Sequence, residues 1–390
     1  MAISKISSNM IDGSLTSSLV SGSLPAVDGS ALVGAGSGID TETTSDPTIS
    51  SNPSATGHLW SNKTSGEMFI CTDATAGANV WINVGGGSGD VQPYSFQGST
   101  FAFNAGGNPG SGWSGTPTDM ISKFSLTSDA NGVDVANLSV VRQSTAGGGS
   151  NTHSYTIGGY NHTIGNHLNV IDKFSFTSGN DATDVGDLTI SKASTASTSS
   201  GDNVYGSGGE KTGSPADSNV IDKISTSSDG NATDAGDLTV ARQYSAGQSS
   251  GTHGYTSGGR SPVQNTIDKF TFASDANATD VGDMTSARDM PAGQSSTTHG
   301  FVSGGNPNSN VIEKFTFASN ANATDHGDLT VGRQYTTGQS STTHGYTSGG
   351  TISNTSLQNV IDKFTFASNA NATDVGDMAA GRKSTAGTQY

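Results

Sequence analysis

The chain has 390 residues, of which only 13% are charged, with 33 acids against 17 bases and a formal net charge of −16. That balance argues against a nucleic-acid partner, because phosphate binding needs a cationic surface. A single cysteine, Cys71, excludes an intrachain disulfide framework and a cysteine-based zinc site. No run reaches the ~18–20 apolar residues of a helical membrane span, so no membrane is expected as a partner.

The first residues, "MAISKISSNM", contain no apolar leader core, so no secretory signal is expected. Ile11 to Asp40 is rich in Ser, Gly, Leu and Ala and contains no aromatic residue. Such text suits a linker or a segment that orders on assembly, so residues 1–50 are predicted to be an extended arm. Residues 51–97 hold "GHLWSNKTSGEMFICTDATAGANVWINVGGGSGD", which predicts a small β-meander. There "TSG" and "TAGAN" serve as turns, and Trp60, Phe69 and Trp81 form a small core.

From residue 98 the text repeats. The "IDK" motif recurs at Ile121 ("ISK"), Ile171, Ile221, Ile267, Ile312 ("IEK") and Ile361, a period of about 45–50 residues that suits four-stranded units. Six Gly-Gly pairs end at Gly107, Gly159, Gly209, Gly259, Gly305 and Gly350. One unit predicts four strands, as in "ARQYSAGQSS", "THGYTSGG", "NVIDKFTFAS" and "TDVGDLTVAR". Aromatic residues two apart, such as Phe270 and Phe272, share a face of the third strand. Asn, Asp, Gly and Ser fill the intervening turns. The 31% hydrophobic fraction would by itself allow disorder, but strict recurrence of apolar positions argues for a core.

The repeats begin on a second-type strand, "STFAFNAGG", and end on a first-type strand, "GRKSTAGTQY". An open stack would leave both edges unpaired. The predicted fold is therefore all-β: residues 98–390 form a six-bladed β-propeller closed by pairing of its N- and C-terminal strands.

The order Arg, strand, Tyr-x-x-Gly-Gly, variable loop, strand, Leu-x-x-x-Arg resembles a kelch repeat, carried for example by Tyr255, Gly258, Gly259, Leu238 and Arg242. The tryptophan of the fourth kelch strand is absent; Val281, His326 and Val375 lie near its place. The resemblance implies a propeller and says little about activity. "SLPAVDGSALVGAGSG", Ser23 to Gly38, resembles connectors of bacteriophage tail-fibre proteins, and the 51–97 block is similar to modules of marine phage structural proteins. This likeness implies a virion fibre or spike attached to other virion proteins through residues 1–50, with a homotrimer as one arrangement.

Candidate site residues fall into two sets. Arg142, Arg242, Arg288, Arg333 and Arg382, with Lys192, recur once per unit between the fourth and first strands. They read either as a cationic ring for sugar acids and sulfates or as structural partners of Asp172, Asp222, Asp268, Glu313 and Asp362. The loops after Gly-Gly vary most and lie on the same face, where binding is usually built. Trp113, Tyr160, His162, His167 and Arg260 are the side chains expected there to contact a receptor.

The "TDxGD" series, such as Asp184/Asp187 and Asp280/Asp283, reads as Asx turns; Ca²⁺ is the alternative, although the closing glutamate of an EF-hand loop is missing. His153, His253, His299 and His344 recur before the second-strand aromatic, which suits a structural hydrogen bond. No catalytic motif such as GxSxG, a P-loop or HExxH occurs, and the acids repeat rather than converge. The expected function is noncovalent attachment to a host-surface glycan or protein, without catalysis or cofactor. The alternatives are a capsid or tail decoration protein and a glycan-cleaving enzyme.

Overall fold

The computed structural model describes residues 39–84, 95–110, 115–353 and 355–390. The described residues form strands, turns and irregular segments, with no helix. The chain divides into two compact units, 1–93 and 94–390.

In the first unit, Leu59–Asn62, Met68–Asp73 and Val80–Asn83 form an antiparallel meander. Thr41–Thr43 adds a parallel strand to its edge, so the sheet begins before the expected start at residue 51. Two tryptophans explain the difference. Trp60 Nε1 donates to Ser45 O and Trp81 Nε1 to Thr48 O, tying the preceding segment to the core. Phe69, Cys71 and Trp81 are buried, and Trp60 meets Trp81 edge-on at 5.6 Å. Residues 1–38, most of the predicted arm, lie outside the described residues.

The second unit contains six four-stranded antiparallel sheets. The second sheet is typical: Ala146–Gly149, His153–Ile157, Val170–Ser175 and Thr183–Asp187 pair in that order. The next four sheets repeat it, beginning at Ala196, Ala246, Ala292 and Thr337. The first sheet differs in its chain origin. Its strands Phe101–Ala105, Met120–Ser125 and Val133–Asn137 take their missing member, Ala386–Gln389, from the far end of the chain.

Each sheet is buried against its neighbours. On the third strand Ile171, Asp172 and Phe174 are all buried, so both faces are covered. The second-strand aromatic of one sheet packs on third-strand aromatics of the next. Tyr205 stacks on Phe272 at 5.0 Å, Tyr255 on Phe317 at 4.8 Å and Phe301 on Phe366 at 4.7 Å. Tyr346 of the sixth sheet meets Phe124 of the first at 5.7 Å, so the series returns to its start.

Backbone hydrogen bonds follow the same cycle. Ser194 N donates to Ser144 O, Tyr244 N to Ser194 O, Met290 N to Tyr244 O, Tyr335 N to Met290 O, Ser384 N to Tyr335 O and Ser144 N to Ser384 O. All six residues hold positive φ, from 55° to 61°, which turns each N–H toward the neighbouring sheet. The first strands then approach so closely that a Cβ on Gly338 would lie 2.1 Å from Gly293 O. Glycine is required there because no side chain fits between the two backbones.

The "NATD" text forms a further cycle. Ala278 N donates to Asp237 O, while Asn277 Oδ1 accepts from Asp237 N. Asn231, Asn322 and Asn371 make the same reciprocal clamp to the preceding sheet. Asn131 does so across the seam, accepting from Asp377 N.

Candidate functional site

The repeated cations are sealed inside the sheets. Arg142, Arg242, Arg333 and Arg382 are fully buried and Arg288 nearly so. Arg142 meets Asp172 at 2.8 Å, Lys192 meets Asp222 at 2.7 Å and Arg242 meets Asp268 at 3.1 Å. Arg288 meets Glu313 at 2.5 Å and Arg333 meets Asp362 at 2.7 Å. The cationic ring expected to contact a receptor is therefore corrected: for Arg142, Arg242, Arg288, Arg333 and Arg382 almost no side-chain surface is left to touch a ligand. An unpaired buried guanidinium would be costly, which is why carboxylates were placed beside five of the six cations.

Each acid also holds the crossover between sheets. Asp172 accepts from Ser139 N and Ser139 Oγ, and Asp268 does the same with Thr239. Burial pushes the Arg142 and Arg242 guanidinium groups below their ordinary value, while Asp172 and Asp268 respectively pull them back.

Gly-Gly pairs bring the variable loops to these crossovers. Gly258 and Gly259 have φ of 65° and 115°, and a Cβ on Gly258 would lie 2.7 Å from Arg288 O. The residue after each pair then bridges to the crossover: Tyr160 to Gln143, Glu210 to Ala193 and Arg260 to Gln243. Asn306, Thr351 and Asn108 occupy the equivalent positions in the other sheets, bridging to Asp289, Gln334 and Lys383. One repeat position thus carries an aromatic, an acid and a base in three consecutive sheets.

Those three side chains line one cleft of about 390 Å³, together with His162, His167 and Tyr244. The cleft opens beside a smaller hollow of about 120 Å³, where the first strands converge, and shares Ser144, Ser194 and Tyr244 with it. Tyr160–Asn161 pairs with Asn166–His167 in a short hairpin. The hairpin places Tyr160 edge-on to His162 at 4.8 Å and to His167 at 5.1 Å. Gln143 Oε1 accepts from Asn108, so its Nε2 donates to His162 Nε2 at 2.8 Å and leaves the ring proton on Nδ1. Burial lowers the pKa of both histidines, which keeps them neutral at pH 7.

Opposite the hairpin, the Arg260 guanidinium lies 4.4 Å above the Tyr244 ring and 3.8 Å from buried Asp289. Burial pushes the Tyr244 phenol up to about 12, so it stays protonated. Four residues singled out in the sequence, Tyr160, His162, His167 and Arg260, therefore converge. Trp113 lies outside the described residues. Glu210, Tyr244 and Gln143 were missed; Glu210 shares its repeat position with Tyr160 and Arg260, which was the available signal.

The "TDxGD" loops form Asx turns, with Gly236 N donating to Asp234 and Gly282 N to Asp280. No group of three or more metal-ligating side chains occurs among the described residues. His153, His253, His299 and His344 each meet the preceding threonine hydroxyl at 2.8–2.9 Å.

No protein-family model matches the chain, and no curated protein matches it.

Proposed function

We propose that residues 94–390 form a closed six-bladed, kelch-like propeller that recognises a surface glycan or protein noncovalently. Closure is supported by the pairing of Ala386–Gln389 with Phe101–Ala105 and by the six-membered backbone cycle through Ser144 and Ser384. The recognition reading rests on one observation: three different side chains at one repeat position build a single cleft. A purely structural ring gives no reason for that concentration of chemistry.

The second unit is also two-ended. Gly98 N donates to Ser340 O and Gln97 Nε2 to Ser295 O, at the C-terminal ends of first strands. The cleft lies beyond the N-terminal ends of first strands, around Ser144 and Ser194. The described chain of the second unit therefore begins, at Gln97 and Gly98, at the end remote from the cleft. Together with the fibre-like text of Ser23 to Gly38, this supports a phage fibre or spike held to the particle through residues 1–50. Multivalent display would let weak single contacts add up.

Immunogold microscopy of the particles that carry the chain should label distal fibres or the tail tip. Excess full-length chain should block attachment of those particles, and a Tyr160→Ala chain should not. Label spread over the capsid, or no competition, would overturn the reading.

A further inference from the structure

We infer that the cleft beside Tyr160, Glu210 and Arg260 takes a neutral, hydroxyl-rich sugar unit; this deepens the recognition reading and rests on it. Three features of the cleft select that chemistry.

Size is the first. About 390 Å³ stands near the lower end of the ~300–1,000 Å³ range of small-ligand sites. The adjoining hollow of about 120 Å³ leaves room for a chain of sugar to continue past Tyr244. A protein partner needs a standard interface of about 1,600 Å², which a recess this small does not supply.

Charge is the second. Of the repeated cations that would have drawn a sulfate or uronate, five are neutralised by buried acids and the sixth, Arg382, is itself fully buried. Arg260 is the half-buried base of the cleft, and it already faces Asp289 at 3.8 Å with Glu210 lining the same space. Neutral histidines add no positive charge, and the whole chain carries −16. A polyanion would meet a single shared guanidinium in a negative field.

Functional-group geometry is the third. Vicinal hydroxyls both donate and accept hydrogen bonds. Arg260 offers planar N–H donors and Glu210 offers carboxylate acceptors. Tyr160, flanked by the rings of His162 and His167, gives an aromatic wall for the C–H face of a sugar ring.

The test uses full-length chain titrated with neutral glucose-, galactose- and mannose-based oligosaccharides and with counterparts bearing uronate or sulfate. Neutral probes should bind, with affinity changing less than about twofold between low and high salt. Ligand should shift the ring signals of His162 and His167. Glu210→Gln, which preserves shape, and Tyr160→Ala, checked for folding by its melting curve, should each weaken binding about tenfold or more. Asp229→Asn, at a surface pair with Lys173, should leave binding unchanged. Tighter binding of charged probes with steep salt dependence would overturn the inference. So would neutral binding that ignores both cleft variants and both histidines. If no sugar binds while the chain still blocks particle attachment, the sugar assignment falls and the recognition reading stands.

Discussion

Arg382 Nη2 donates to Ser122 Oγ at 2.5 Å, in the one sheet where the equivalent of Asp172 is not an acid. The other guanidinium contacts are to the carbonyls of Gly106, Met120 and Asn104. Burial pushes Arg382 down to about 10, opposed by the Asp134 charge and by no carboxylate in salt-bridge contact. The crossover partner has changed as well: Ala379 stands where other units carry Ser139, Thr189, Thr239, Thr285 and Thr330. Acid and hydroxyl are thus missing together at the seam formed by the two ends of the repeat region.

Restoring both should stabilise the protein. Ser122→Asp with Ala379→Thr is expected to add about 1–3 kcal/mol, the worth of hydrogen bonds to charged groups. The gain should exceed the sum of the single variants, since the threonine needs the acid it donates to. The new carboxylate would sit beside Arg382 with its pKa depressed below the unfolded value of about 3.9. Its contribution is present above that pH and lost as pH falls through the folded pKa. Urea melts at pH 7 and pH 3 check both statements; an additive double variant would refute the pairing.

Removing an existing acid should act in the opposite direction. Asp268→Ala leaves Arg242 buried without its 3.1 Å partner and leaves Thr239 N and Oγ1 without their acceptor. The expected loss is about 3–5 kcal/mol in denaturant unfolding. A loss below about 1 kcal/mol would show that the pair is solvated rather than sealed.

Deleting residues 384–390 removes the edge strand of the first sheet that faces the other first strands, and two members of the backbone cycle, Ser384 N to Tyr335 O and Ser144 N to Ser384 O. It also exposes the edge of Phe101–Ala105. The loss should approach the whole ~5–15 kcal/mol stability of a domain, seen as a lost or broadened thermal transition. An unchanged transition would mean that the seam contributes nothing.

The strand types and their repeat were legible because recurrence needs no knowledge of packing. "AGQS", "HGYTS", "TIDKFT" and "TDVGD" each fall within the strand text expected for them. Burial was not legible. Arg242 reads identically whether it faces solvent or Asp268, because sequence spacing cannot show that neighbouring sheets cover both faces of a strand. The same limit hid the asparagine of "NATD", whose partner, such as Asp237 for Asn277, belongs to the preceding sheet. The cleft was half legible. Tyr160 and Arg260 stand out as unusual residues after Gly-Gly, whereas Tyr244 reads as one more repeat residue until its positive φ sets it at the rim.

The clamp role of asparagine separates it from a calcium ligand. Asn277→Ala should cost roughly 1 kcal/mol, the net worth of a backbone hydrogen bond. Chelation with EDTA should leave the melting temperature of the parent chain unchanged. A fall on chelation, restored by Ca²⁺, would return the acidic loops to metal binding.

Acidity should weaken the fold through His326. This ring is buried where other units carry Val185, Ala235, Val281 and Val375, and its Nε2–H donates to Thr365 O at 2.9 Å. Desolvation lowers its pKa in the folded state. The unfolded chain, with an ordinary histidine pKa of about 6.5, therefore binds protons first as pH falls. Stability from this residue is complete above that value and declines as pH drops toward the folded pKa. His326→Val removes the titrating group and supplies the residue used at three of those four positions. Its melting temperature should fall less than the parent's between pH 7 and pH 5. Burial also lowers His153, His253, His299 and His344, so a residual slope should remain in the variant. Equal slopes in both proteins would show that His326 is protonated in the fold as readily as in the open chain.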